Sequence, residues 1–228
     1  MKRTAKILVA ISLMYLAGNA NAALLGPTSY TSFSDSPFYG GTFSSFFLED
    51  FEDHLFNTAG VTASAGGVTS VVFGPSLHDS VDADDGAIDG SGLAGDSYYS
   101  GSGAAGILFT FDSGILGALP THAGLVWTDG AGTTTFEAFD AGGVSMGVLG
   151  PTLIADGSYA GTTADDYFFG AENLGGISSI FISNTSGGIE IDHLQFGLIS
   201  TAVPEPASLL LMMLGLMMLG FARRSNIG

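Results

Sequence analysis

Ser80-Val81-Asp82-Ala83-Asp84-Asp85-Gly86-Ala87-Ile88-Asp89-Gly90 crowds the carboxylates Asp82, Asp84, Asp85 and Asp89 into one short glycine-bearing stretch. Hard oxygen ligands on a pliant loop suit Ca²⁺. The spacing is not that of an EF-hand: counting from Asp82, position five is Gly86, position six is Ala87, and no Glu stands at position twelve. A solvated acidic loop is the alternative. Two further acidic groups lie near the two ends of the body, Glu49-Asp50-Phe51-Glu52-Asp53-His54 and Glu190-Ile191-Asp192-His193. If the first and last strands are neighbours, Glu52 and Asp192 join the candidate calcium ligands. The histidines His54, His78, His122 and His193 are scattered without the spacing of a zinc site.

Gly143-Val144-Ser145-Met146-Gly147 has the Gly-x-Ser-x-Gly form of a hydrolase nucleophile elbow, which requires a strained turn from strand into helix. The residues after Ser145 read instead as a strand that Pro151 closes. Val144, Met146 and Val148 are expected on its buried face, with Ser145 and Gly147 on the other. Among the aromatic residues, Trp127, Tyr98, Tyr99, Phe168 and Phe169 have faces on which a sugar can stack. Trp127 fits a core strand equally well, and Tyr98 and Tyr99 sit in a Gly-Ser context that predicts exposure.

The charge balance narrows the chemistry. The five basic residues are Lys2, Arg3, Lys6, Arg223 and Arg224, so none falls between Lys6 and Arg223, where all 22 Asp and Glu lie. Such a body repels phosphate backbones and anionic headgroups, which excludes nucleic-acid binding. The absence of cysteine removes disulfides, thiolate metal sites and cysteine nucleophiles together. Stability then rests on a hydrophobic core and on cations that neutralise the carboxylates.

The elements that position these groups read as strands. Short runs rich in Val, Ile, Thr and Phe recur between clusters of Gly, Asp, Asn and Ser. Candidate strands are 42–48, 68–73, 106–112, 123–128, 133–139, 144–149, 167–171, 177–183 and 189–197, a spacing that predicts an all-β, two-sheet sandwich or jelly roll. Ile107, Phe109 and Phe111 share one face. In the last strand Ile189 and Ile191 are in one phase and Leu194 and Phe196 in the other, which calls for a bulge at Asp192-His193. Residues 77–106 and 155–166 read as long loops.

Both ends carry sorting chemistry. Lys2, Arg3 and Lys6 precede an apolar stretch from Ile7 to Gly18, and Ala20-Asn21-Ala22 follows as a small-x-small cleavage site, so residues 1–22 read as a signal peptide for signal peptidase. At the other end Pro204-Glu205-Pro206 precedes the apolar run Ala207–Phe221 and then Arg223-Arg224. Such a run makes a membrane helix whose arginines stay cytoplasmic. This tripartite segment resembles the PEP-CTERM sorting signal of Gram-negative bacteria. The resemblance implies recognition by a membrane-embedded exosortase, cleavage near Pro204–Pro206, and a setting of exopolysaccharide or biofilm matrix. An early acidic segment combined with an Asp in the final strand is also similar to the structural calcium site of jelly-roll carbohydrate-binding modules.

The expected organisation is thus a signal peptide (1–22), a Gly/Asp-rich β-sandwich (23–200) and a sorting and anchor segment (201–228). The expected function is that of an exported, non-enzymatic surface or matrix protein associated with exopolysaccharide and stiffened by calcium. A carbohydrate-binding module and an exported hydrolase are the alternatives.

Overall fold

The computed structural model describes residues 22–72, 79–159 and 161–199. The signal segment up to Asn21, His78 and the sorting segment with Pro204, Glu205, Pro206, Arg223 and Arg224 lie outside them. Among the described residues no helix is long and apolar enough to cross a membrane.

The body is all-β. Its strands are β1 (Ala23–Ser29), β2 (Phe43–Glu49), β3 (Val61–Ala63), β4 (Gly67–Val68), β5 (Tyr98–Ser100), β6 (Ile107–Phe111), β7 (His122–Asp140), β8 (Ser145–Thr152), β9 (Tyr167–Glu172) and β10 (Ile177–Ile199). One-turn helices α1 (Thr69–Val72) and α2 (Ser113–Leu116) and three short 3₁₀ turns complete the order. Every strand pairing is antiparallel.

β7 and β10 form the spine. They pair along nearly their whole length, with β8 and β9 on the other edge of β7 and β6, β5 and β2 along the other edge of β10. The sandwich-like layers are therefore continuous: all ten strands belong to one hydrogen-bonded sheet rather than to two separate ones. The sheet closes over a core drawn from its whole width, including Phe109, Trp127, Phe136, Phe169, Ile180 and Phe196. Fully burying one such side chain stabilises the fold by roughly 1.5–3 kcal/mol. Trp127, wholly buried, donates its indole N–H to Asn184 Oδ1 at 3.0 Å. Ile107, Phe109 and Phe111 are buried on one face of β6, as their alternation predicts. A smaller cluster of Tyr30, Phe38, Val81, Val126 and Phe168 packs elsewhere on the sheet.

Several expectations are corrected. Of the candidate strand 68–73, Val68 is extended and Thr69–Val72 turn into α1, while Phe73 lies outside the described residues. Tyr98 is buried in β5 rather than exposed on a loop, because it packs against Phe51, Phe56 and Phe109. Phe168 and Phe169 are fully buried and offer no face to a sugar. Val144 and Val148 are exposed, while Met146 and Leu149 pack on the core, since the pairing of β8 with β7 shifts register between Glu137 and Phe139.

Candidate metal centre

The bulge called for by the phase change in β10 is present. The register against β7 shifts between Asp192 and Gln195, and His193 takes φ +43°. Positive φ in a side chain with a Cβ is uncommon and marks positions that surrounding structure holds in place. Among the described residues only Phe51, His54 and His193 do this without being glycine. All three adjoin one cluster of acids, because β2 pairs with β10 and sets Glu49 opposite Leu194.

Two chain segments deliver the cluster: β10 supplies Asp192 and His193, and the 3₁₀ turn Asp82–Asp85 supplies Asp84, while Glu52, in the segment after β2, feels the Asp84 charge from outside that group. Asp84, Asp192 and His193 each offer a ligand atom within 4.8 Å of the others. Asp192 is fully buried; its Oδ2 accepts the Val81 N–H at 3.0 Å and its Oδ1 the His193 N–H at 2.6 Å. Burial, together with the adjacent Asp84 charge, raises the Asp192 pKa well above the ordinary carboxylate value. The Asp84 Oδ2 is buried and meets no donor. Glu52 is raised to about 7, first by burial and then by the charges of Asp84, Asp96 and Asp50, although its carboxylate accepts the Asp96 N–H.

The hydrogen bonds around His193 fix their own direction. Ser36 Oγ–H donates to Gln195 Oε1 (2.5 Å), which leaves the Gln195 amide N–H to donate to Tyr30 Oη (3.2 Å). The Tyr30 hydroxyl, accepting from Gln195, is left to donate to His193 Nδ1 (2.8 Å), which turns Nε2 toward Asp84 Oδ1 (3.0 Å) as the ring's donor. An imidazole ligand would need the reverse order, with Nδ1–H and the Gln195 amide both donating to one phenol oxygen. The arrangement thus equips His193 to orient Asp84 and leaves carboxylate oxygens as the ligands, the donor set of a hard cation rather than of zinc.

The remaining sequence candidates have other partners. Asp82 Oδ1 accepts the N–H groups of Asp89, Gly90 and Ser91 at 2.9–3.2 Å and so folds its own loop. Asp85 and Asp89 are exposed, and Asp85 caps a local turn at the Ala87 N–H. His193, which spacing sets aside, is the residue that sequence reasoning missed; the phase change beside it was the available signal.

Ser145 begins β8 on the surface and accepts only the Gly147 N–H, at 3.2 Å. The described histidines are engaged elsewhere: His54 with Asp96, His122 with Thr121 and Glu172, and His193 with Tyr30 and Asp84. A cleft of about 340 Å³ opens instead between the β7–β10 spine and the segment 157–159, lined by Tyr99, Asp129, Tyr159 and Glu190 with intervening glycines.

Residues 202–225 match the family described as the PEP-CTERM protein-sorting motif. The chain carries an exosortase sorting tag. The tag implies an exported protein with an exosortase as its processing partner. Among curated proteins none matches the sequence. A solved structure described as the catalytic domain of a GH87 alpha-1,3-glucanase in complex with tetrasaccharides is 18% identical, covers 73% of this chain and 30% of its own, and superposes with a TM-score of 0.32. At that score the likeness carries no weight for fold or activity, and the tagged chain spans under a third of that structure's length.

Proposed function

We propose that residues 23–200 of this tagged chain form a non-enzymatic, calcium-stiffened β domain delivered to the cell surface or the exopolysaccharide matrix. The observation that supports this reading is the sealing of the acid cluster: Asp192 is fully buried and Asp84 nearly so, with His193 wedged against them. Catalytic carboxylates must meet substrate, whereas ligands of a structural cation are best closed off. A cation at Asp84 and Asp192 ties the loop 79–97 to the last strand, which no salt bridge to Lys or Arg can do in this body. Melting in millimolar Ca²⁺ against chelator, at matched ionic strength, tests it. A hundredfold excess over Kd raises stability by about 2.7 kcal/mol per site; identical melting temperatures would leave a solvated acidic domain and end the proposal.

One observation favours the carbohydrate-binding alternative. The cleft presents Tyr159, 75% exposed, and Tyr99 beside Asp129 and Glu190, a pairing of aromatic faces with polar acceptors suited to saccharide hydroxyls. Retention of the purified body on the host's own exopolysaccharide, lost in Tyr159→Ala, distinguishes this reading from a purely structural role.

A further inference from the structure

The cleft between the β7–β10 spine and the segment 157–159 has a floor that strand register assembles. Glu190 in β10 pairs with Asp129 in β7 on one side and with Tyr99 in β5 on the other. Residues directly opposite in antiparallel strands project to the same face, with Cβ atoms about 4.5–5.5 Å apart. Asp129, Glu190 and Tyr99 therefore stand in one row, while Ile189, Ile191 and Tyr98 beside them point the other way into the core. The segment that carries Ser158 and Tyr159 forms the facing wall.

Two carboxylates opposite each other across a ladder repel. No lysine or arginine lies between Lys6 and Arg223 to answer them. Glu190 is only 5% exposed, and both of its donors, the Ser97 hydroxyl and the Asp79 N–H (3.4 Å), go to Oε1. Oε2 receives none and is not sealed off, so it opens on the cleft that its residue lines. Asp129 takes the Gly130 N–H on Oδ1 alone. Deeply set carboxylate oxygens that face a cavity call for a donor from outside the protein. Asp129 and Glu190 belong to no group of three metal-holding side chains among the described residues, which disfavours a bare metal ion. An organic ammonium needs only acceptors for its N–H groups and is attracted to aromatic faces.

Shape selects what carries the ammonium. The cleft holds about 340 Å³ between Tyr99 and Tyr159, whose rings are flat apolar faces. A lysine side chain would enter by its tip and leave those faces uncovered. A sugar ring bearing an amine covers them with its C–H face while the ammonium reaches the acids. We infer that the cleft binds an amino sugar in its ammonium form, the unit of a de-N-acetylated polysaccharide, with Asp129 and Glu190 receiving the ammonium and Tyr99 and Tyr159 stacking on the ring. This rests on the carbohydrate-binding reading of the cleft and narrows it to a cationic saccharide. With no cation beside it Glu190 keeps a proton up to about 8, raised by burial, opposed by the Ser97 hydrogen bond and raised further by the Asp129 charge. The ammonium takes the place of that proton.

Calorimetric titration of the exported chain at pH 6.5 tests it, in about 0.3 M salt to screen the general attraction of an acidic surface for polycations. The probes are a glucosamine tetramer, its N-acetylated counterpart, a neutral glucose tetramer and tetralysine. The glucosamine tetramer should bind at least tenfold more tightly than the other three. Asp129→Asn, Glu190→Gln and Tyr159→Ala should each weaken it at least tenfold. Asp112→Asn, which removes an exposed charge outside the cleft and keeps a side chain able to cap the Gly114 N–H, should leave it unchanged. Asp129 is only half-buried, so its variant carries the test if Glu190→Gln fails to fold. Equal binding of all three sugars, still lost in Tyr159→Ala, keeps the saccharide cleft and overturns the choice of an amine. Tetralysine binding as tightly as the glucosamine tetramer gives the cleft to a basic peptide and overturns the sugar. No binding that depends on Asp129 or Tyr159 overturns both, and leaves the calcium reading to its own melting test.

Discussion

Calcium-free protein should lose stability as pH rises, and Glu190 shows by how much. Its carboxyl is raised from 4.5 to about 8, chiefly by burial, against the opposing hydrogen bond from Ser97. The folded state therefore holds a proton that the unfolded chain releases. That contribution to stability is fully present below about pH 4.5 and is lost as pH rises through about 8. At 1.36 kcal/mol for each unit, the loss for Glu190 alone is on the order of 5 kcal/mol, as large as the lower end of typical whole-domain stability. Asp79 and Asp166, raised to about 9 and about 10, continue the slope.

Calcium opposes the slope because it competes with the proton that burial and the Asp84 charge favour on Asp192, and binds the ionised acid. Urea midpoints at pH 5, 7 and 8.5, in resin-stripped buffer and in millimolar Ca²⁺, are the assay. Both series belong at about 0.3 M salt, which screens the general repulsion of a chain of net charge −17 and leaves buried groups unscreened. Stripped protein should weaken steadily across the range, the benefit of calcium should grow with pH, and Glu190→Gln should flatten the stripped series. A stripped midpoint that rises or stays level from pH 5 to 8.5, or a calcium benefit equal at both ends, would refute the reasoning.

Material from an exosortase-competent host should begin at Ala23 and end near Pro204–Pro206 by mass spectrometry; an intact chain that retains Arg223-Arg224 outside the cells would contradict the processing. A serine-directed fluorophosphonate should leave Ser145 unlabelled, since that hydroxyl meets no histidine; stoichiometric labelling there would restore the hydrolase. Phe109→Ala should cost about 3–5 kcal/mol in urea denaturation, because the ring is wholly buried against Phe56 and Tyr98. Trp127→Phe should cost less than Phe109→Ala, because Asn184 Oδ1 keeps the Thr134 hydroxyl at 3.2 Å when the indole N–H is gone.

The fold was legible where alternation was local and illegible where glycine had a long-range purpose. Asp129-Gly130-Ala131-Gly132 and Asn184-Thr185-Ser186-Gly187-Gly188 read as turns, so β7 and β10 each read as two strands. In the structure both strands run straight through. Gly130 is there for close approach: a Cβ would stand 1.8 Å from the Asn184 amide nitrogen and 2.9 Å from the Trp127 ring. β1 escaped notice for a related reason, since Gly26-Pro27 looks like a break, yet Gly26 at φ +99° lets the strand pass the Phe168 carbonyl. Nothing in either stretch names the distant residue that demands the glycine.

For the candidate site the same boundary separates what spacing encodes from what burial decides. The inversion of phase between Ile191 and Leu194 is a local signal, and it located the bulge that turns Asp192 and His193 toward the acidic loop. Composition pointed to Asp82, Asp84, Asp85 and Asp89 equally, although three of the four serve the loop or the solvent. What distinguishes Asp84 is that Val81 and Ala83 anchor its turn to Asp192 and Thr31, contacts that cross more than fifty residues of chain. Asp165 and Asp166 are harder still, because a Thr-Ala-Asp-Asp stretch looks solvated until Tyr30 bonds the Asp166 carbonyl and packing closes over it. In a body without lysine or arginine, folding itself decides which carboxylates lose water, and those are the ones that must find a cation or keep a proton.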